Sequence, residues 1–177
     1  MIVNRRAAIK QFLIVSAGIT FLTKCKGENK PSIALKNVDI TGDDEILLAE
    51  VSEAIIPHTD TPGAKDLSAH LFALKMLDDL YKKEDQQKFV SGLKEFGKFS
   101  NKKFDKAFAK CSTSEREAIL NDLESRKKDD EDDLSFFYTM QKGLIIEAYT
   151  TSKVYLTKIH EYKLVPGQYK GCVPVKA

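Results

Sequence analysis

Apolar residues recur at helical spacing along most of this chain, and the intervals between the runs are filled with turn formers and charge. Leu47, Leu48, Val51 and Ile55 share one side of a 3.6-residue period and predict a helix over 42–56. Thr41 is its N-cap, and Asp43, Asp44 and Glu45 sit in the first turn, where carboxylates complement the helix dipole. Pro57 disfavours helical geometry in the residue before it, so the helix stops at about Ile56. Leu67, Leu71, Leu74, Met76, Leu77 and Leu80 predict a second helix over 66–82, capped by Asp66. Between the two lies Ile55 to Ala64, reading IIPHTDTPGA. Asp60 and the threonines can bond nearby backbone groups, Pro62 fixes its own φ and Gly63 can take φ > 0, which predicts a rigid loop.

A break at Lys83-Glu84-Asp85 leads into a third segment bearing Phe89, Leu93 and Phe96, interrupted at Gly97. Phe99, Phe104 and Phe108 carry an apolar face on to Lys110. Ser112-Thr113-Ser114-Glu115 fits a capping box and opens a helix with Ile119, Leu120 and Leu123. The run from Arg126 to Asp133 has no apolar residue and reads as a solvated loop. A cation site built from Asp129, Asp130, Glu131, Asp132 and Asp133 is the alternative, but it lacks the glycine and alternating spacing of a calcium loop.

Leu134 to about Leu156 is the most apolar long segment and the expected central helix, hydrophobic on more than one face. Within it Gly143 costs about 1 kcal/mol against alanine, which points to a close helix crossing or a kink. Thr150, Thr151 and Ser152 can return hydrogen bonds to earlier carbonyls and bend the helix. The tail LVPGQYKGCVPVKA holds two prolines and two glycines, so it is extended and has to be held by something other than its own backbone pairing. Tyr149, Tyr155, Tyr162 and Tyr169 suit an interface, or equally ordinary half-buried packing. The expected fold is all-α: a single domain of five to six helices over 42–177 with an extended C-terminal tail. Residues 25–41 precede it as a tether ending in a short extended piece.

Charge changes the picture at the N-terminus. Residues 1–24 carry Arg5, Arg6, Lys10 and Lys24 with no acid, and the uncharged run Gln11 to Thr23 is too short to cross a bilayer as a mature helix, so the segment reads as an export signal. Arg5-Arg6 within NRRAAIKQF looks like a twin-arginine signal; an ordinary Sec leader is the alternative. Cys25, three residues after Leu22, resembles a lipoprotein processing site, although Lys24 replaces the small residue such a site wants. Acylated, it would anchor the chain to a membrane without spanning it; otherwise it is the end of a leader. With those four bases set aside, 24 basic residues face 26 acidic ones, a net of −2, so nothing favours nucleic acid. The remaining 153 residues suit one domain.

Convergent chemistry is sparse in the sequence. No GxGxxG follows a strand, and no CxxCH attaches haem. His58, His70 and His160 never stand at i, i+4, so a metal site would have to be assembled by the fold. His58 and Asp60 could face a partner's active site and assist proton removal, or more simply Asp60 caps turn amides while His58 lies at the surface. Cys111 and Cys172 could pair in an oxidising compartment, but their separation cannot be judged from sequence.

Pro57, His58, Asp60, Pro62 and Gly63 in the loop, with Pro166, Gly167, Tyr169 and Cys172 later in the chain in PGQYKGC, resemble the gluconate 2-dehydrogenase subunit 3 family. Ala148-Tyr149-Thr150-Thr151-Ser152 looks like that family's aromatic-threonine-serine segment, and the middle of the chain matches in helical character alone. The resemblance implies a non-catalytic small subunit that binds no cofactor itself. Its expected partner is an FAD-dependent large subunit of the glucose–methanol–choline type oxidising a sugar or sugar acid, with a cytochrome c or the respiratory chain as acceptor. It implies a periplasmic, membrane-associated complex in which the loop, Tyr149 and the tail form the partner interface. It also implies that the twin-arginine signal escorts a signal-less flavoprotein, and that Cys172 could bridge to the catalytic subunit, leaving Cys111 a buried thiol. The rival readings are an independent exported lipoprotein or binding domain on the same scaffold and, more weakly, a standalone metal enzyme using the histidines.

Overall fold

The computed structural model describes residues 29–126 and 132–160, with Gly167 and Cys172 beyond them. The chain divides into two compact units, Met1–Lys30 and Pro31–Ala177, and every helix named below belongs to the second. Among the described residues all regular structure is helical: α1 (Gly42–Ile55), α2 (Ala69–Leu80), α3 (Lys83–Phe104), a 3₁₀ turn (Phe108–Lys110), α4 (Thr113–Ser125), α5 (Asp133–Thr150) and a π-helical turn (Tyr155–Ile159). The all-α expectation holds. No helix among the described residues is long and apolar enough to cross a membrane.

Two of the three predicted N-caps form, because each supplies a side-chain acceptor where the first helical amides lack one. The Thr41 hydroxyl accepts from the Asp44 amide while the Asp44 carboxylate accepts from Thr41, and Ser112 and Glu115 make the same reciprocal pair. Asp66 does not cap α2. That helix starts at Ala69, after Ser68 in the left-handed region at φ 53° with no side-chain cap. Asp66 is instead drawn back into the preceding loop.

Helix α5 lies at the centre, packed chiefly on α3 and α2. Its inward ring Phe137 meets Phe89 edge-on at 5.0 Å and Phe96 at 5.6 Å, and Phe96 in turn meets Phe108 at 5.1 Å. These rings lead a cluster with Leu48, Val51, Leu77, Leu93 and Ile119. The helices approach most closely at Gly92. A Cβ there would stand 2.0 Å from the Asp133 carbonyl oxygen and 2.6 Å from the Phe137 Cβ, so only glycine fits.

Two expectations about glycine fail. Gly97 does not interrupt α3, which runs unbroken through it, since a single glycine costs a helix only about 1 kcal/mol against alanine. Gly143 marks no kink, since α5 is continuous through it, and among the described residues nothing crosses there: no described atom lies within 4 Å of its Cβ position. Helix α5 also ends at Thr150 rather than near Leu156. The Thr150 and Thr151 hydroxyls donate to the Ile146 and Glu147 carbonyls, the competition for backbone acceptors anticipated for this run, while the Ser152 hydroxyl accepts from the Tyr155 amide instead.

Residues 31–41, read from sequence as tether and short extended piece, are fixed to the helices. Val38 and Ile40 are buried, and the buried Asp78 carboxylate accepts from the Lys36, Asn37 and Val38 amides at 2.6–3.1 Å. Burial by itself would push the Asp78 carboxyl up, but the three amides outweigh it and hold the group below the usual carboxylate range. Asp132, expected in a solvated acidic loop, is the N-cap of α5: it accepts from the Leu134 amide and the Ser135 hydroxyl. The rest of that run, residues 127–131, lies outside the described residues.

Candidate functional site

The loop after α1 turns back on itself and is braced from three directions. Ala64 donates to the Ile56 carbonyl at 2.9 Å, Thr59 to Thr61 at 3.0 Å, and the His58 amide to Glu53 Oε1 at 2.9 Å. The carboxylate that ties it together is Asp66, which accepts from the Gly63 amide at 2.9 Å and pairs with His58 Nδ1 at 2.6 Å. The turn amide expected to be capped by Asp60 is taken by Asp66 instead, while His58 lies at the surface as the simpler reading had it and Asp60 stands exposed. A histidine and a carboxylate eight positions apart carry no sequence signal, so this pair was legible only once the loop had closed.

Gly63 serves by smallness rather than by positive φ. A Cβ there would lie 2.6 Å from the His58 nitrogen and 2.9 Å from the Ile56 oxygen. The Asp66 hydrogen bond raises the His58 pKa above its ordinary value, and the same bond with the Gly63 amide holds the Asp66 carboxyl low. Protonation of His58 thus tightens the clasp.

The loop meets the far end of α5. The Thr61 hydroxyl lies 3.4 Å from the Tyr149 hydroxyl, and Ala64, Ala69 and Ala73 bury against Leu144, Ile145, Ala148 and Tyr149. Tyr149 packs edge-on to Tyr155 at 5.9 Å, and Tyr155 stacks with His160 at 5.9 Å. Two stretches nearly ninety residues apart, the loop and the end of α5, so form one end of the domain.

The other residues singled out from sequence are divided between surface and interior. Pro57 and His58 are exposed, Pro62 is half-buried and Gly63 buried. Tyr149, expected at an interface, is only 8% exposed and supports the end from beneath. Gly167 adopts φ 66°, while Pro166 and Tyr169 lie outside the described residues, as do Arg5, Arg6 and Cys25. Cys111 and Cys172 are both free thiols, so the pairing weighed from sequence is not formed: Cys111 is buried in the core, its thiol 3.6 Å from the Ala107 carbonyl, and Cys172 is exposed.

Sequence reasoning missed Arg116. It donates to the Cys111 and Ala109 carbonyls, pairs with Glu50 at 2.8 Å and covers the Phe108 ring, joining α4, the 3₁₀ turn and α1. Burial raises the Glu50 carboxyl, but Lys65 and Arg116 together bring it below its ordinary value. Burial also lowers the pKa of His70, whose Nδ1 has no hydrogen-bond partner. These charged groups knit helices together. Among the described residues no three histidine, cysteine or acidic side chains converge as a metal site would need.

A search of curated proteins and of solved structures returns no match to the chain. The sequence model of the gluconate 2-dehydrogenase subunit 3 family matches residues 43–167, which takes in α1, the braced loop, every later helix and the start of the tail. On that match, covering well over half of its length, the chain belongs to the gluconate 2-dehydrogenase subunit 3 family.

Proposed function

We propose that this chain is the non-catalytic small subunit of an exported FAD-dependent dehydrogenase of the glucose–methanol–choline type. Its partner oxidises a sugar or sugar acid and passes electrons to a cytochrome c or the respiratory chain. The observation that carries the reading is the convergence of the braced loop and the end of α5 on one end of a family-matched domain. A loop held by five backbone or carboxylate bonds is preorganised, which lowers the entropy cost of docking. Its exposed Pro57, His58 and Asp60 present a fixed outline for a larger protein to read.

Export belongs to the same proposal. The Arg5-Arg6 signal carries the folded pair across together, FAD travels in the partner, and a lipid on Cys25 holds the complex at the periplasmic face of a membrane. The test is purification of tagged full-length protein from its native host in mild detergent. The expected eluate contains a large flavoprotein with bound-flavin absorbance and oxidises sugars or sugar acids. A colourless protein eluting alone rejects the reading and favours an independent exported binding domain. Replacement of Arg5-Arg6 by two lysines is expected to strand the flavoprotein's activity in the cytoplasm; unchanged periplasmic activity rejects the escort role.

A further inference from the structure

A groove of about 650 Å³ lies between residues 36–39 and the first part of α3. Three lysines line it: Lys36 from the segment before α1, Lys83 at the first position of α3, and Lys94 about three turns further along that helix. All three are exposed, and none has an ion pair among the described residues. Asp39 is the acid among the lining residues, whereas Glu84, Asp85 and Glu95 belong to the same stretch of α3 without lining the groove. Positive charge is thus concentrated here in a chain whose residues 25–177 carry a net of −2.

Both walls of the groove are fixed to the end of α2. The Asp78 carboxylate holds one by accepting from the Lys36, Asn37 and Val38 amides at 2.6–3.1 Å. Gln86 holds the other, its Nε2 donating to the Leu77 and Asp78 carbonyls at 3.0 and 3.2 Å. No side chain caps α3, whose N-cap is Lys82, so the positive end of the helix dipole adds to the charge of that wall. A groove preformed in this way loses little backbone freedom when an anion enters it.

Charge and reach together define the occupant. Unpaired lysines beside a helix N-terminus attract an anion. The segment that carries Lys36 is tied down early, because the Ser32 amide donates to Glu45 Oε2 at 2.6 Å. Cys25, proposed above as the lipid anchor, stands seven positions before Ser32, and seven residues reach roughly 25 Å at full extension. A lipid on Cys25 therefore holds this segment close to the headgroups, and basic side chains at that height are drawn to an anionic membrane surface.

We infer that the groove receives the phosphate headgroup of an anionic membrane lipid, with Lys36, Lys83 and Lys94 as its cationic contacts. The lipid on Cys25 sets the height of the domain, and the groove sets which side of it faces the bilayer. The inference rests on the export reading and adds an orientation to it.

The experiment mixes tagged full-length protein with vesicles of phosphatidylcholine, with or without phosphatidylglycerol, and measures the bound fraction by flotation. The groove variant combines Lys36→Glu, Lys83→Glu and Lys94→Glu. A charge-matched control combines Lys98→Glu, Lys110→Glu and Lys153→Glu, exposed lysines outside the groove. Everything before Ser32 is common to all three proteins, so the differences between them report on the lysines. The preference of the groove variant for phosphatidylglycerol is expected to fall at least about tenfold, while the control keeps that of wild type. Melting temperatures stay close, because every substituted side chain is exposed. Should the groove variant melt early, the same three positions changed to glutamine decide by a smaller fall in the same direction.

An unchanged preference in the groove variant overturns the inference. So does an equal fall in the control, which would make the attraction one of diffuse charge. If the groove variant keeps its lipid preference but loses the flavoprotein, an acidic segment of the partner fills the groove and the inference fails. It fails too if inorganic phosphate raises the melting temperature of wild type alone while lipid preference is unchanged, since the groove then serves a free anion. A Cys25 found without an acyl chain by mass spectrometry rejects the anchor, and a colourless wild type eluting alone rejects the accessory-subunit reading; the vesicle comparison is read independently of both.

Discussion

The inner face of α5 meets α3 at Gly92, where a single added carbon would collide with the Asp133 carbonyl, whereas the outer face carries Gly143, where the same carbon would touch none of the described residues. Both glycines sit inside long helices of one domain, and both forgo about 1 kcal/mol of helix propensity against alanine. Only Gly92 has its reason among the described residues. A glycine in a helix states that a neighbour is close; whether that neighbour belongs to the same chain is a fact about packing. The inner crossing carries the core, with Phe89, Phe96 and Phe137 locked around it. At Gly143 the outer face meets none of the described residues.

Substitution at the two glycines ought to have opposite signs. Gly92→Ala forces α3 and α5 apart and should destabilise by about 3 kcal/mol, lowering the melting temperature by roughly 6–12 °C. A melting temperature equal to wild type in calorimetry would show that the helices separate without cost and would remove the contrast between the faces.

Asp132 tests the inner crossing from its other side, because it caps α5 one residue before the backbone that Gly92 touches. Asp132→Ala should cost about 1.5 kcal/mol in urea unfolding. The Ser135 hydrogen bond holds the Asp132 carboxyl below its ordinary value despite partial burial. A depressed folded pKa stabilises above the unfolded value, near pH 4, and the contribution is lost as pH falls through the folded value. Wild type should therefore lose stability below about pH 4 more steeply than Asp132→Asn. Superimposable pH profiles would place the acid sensitivity elsewhere, with Asp78 and Glu50 next in line.

The smallest change is expected at the outer face. Gly143→Ala should raise the stability of the subunit alone by about 1 kcal/mol, or roughly 2–4 °C, since the methyl group meets none of the described atoms and the helix loses a flexible residue. A loss of stability would mean that α5 packs against something in its own chain at this point, and the outer face would no longer differ in kind from the inner one.

Much of the fold was legible because helix signals are local. The capping boxes at Thr41 and Ser112 and the stop before Pro57 depend on residues within a few positions of one another, and each appears as read. Failures cluster where a local signal had more than one outlet. Asp66 had the spacing of a cap but found His58 and Gly63; Asp132 sat in an acidic run yet became a cap; Gly97 was tolerated where a break was expected. The Arg116 staple, the Asp78 anchor and the meeting of Thr61 with Tyr149 join residues too distant in sequence for any periodicity to report them.

The sequence by itself determined that this protein is helical and where the helices with capping boxes begin, since caps, prolines and apolar periods act over one or two turns. It also sufficed to show the family. Only the tertiary structure decided which carboxylate clasps the loop and which glycine lies against a neighbouring helix. Those outcomes depend on distances between elements, and such distances are set by how side chains fill the space between helices rather than by any residue's own preference.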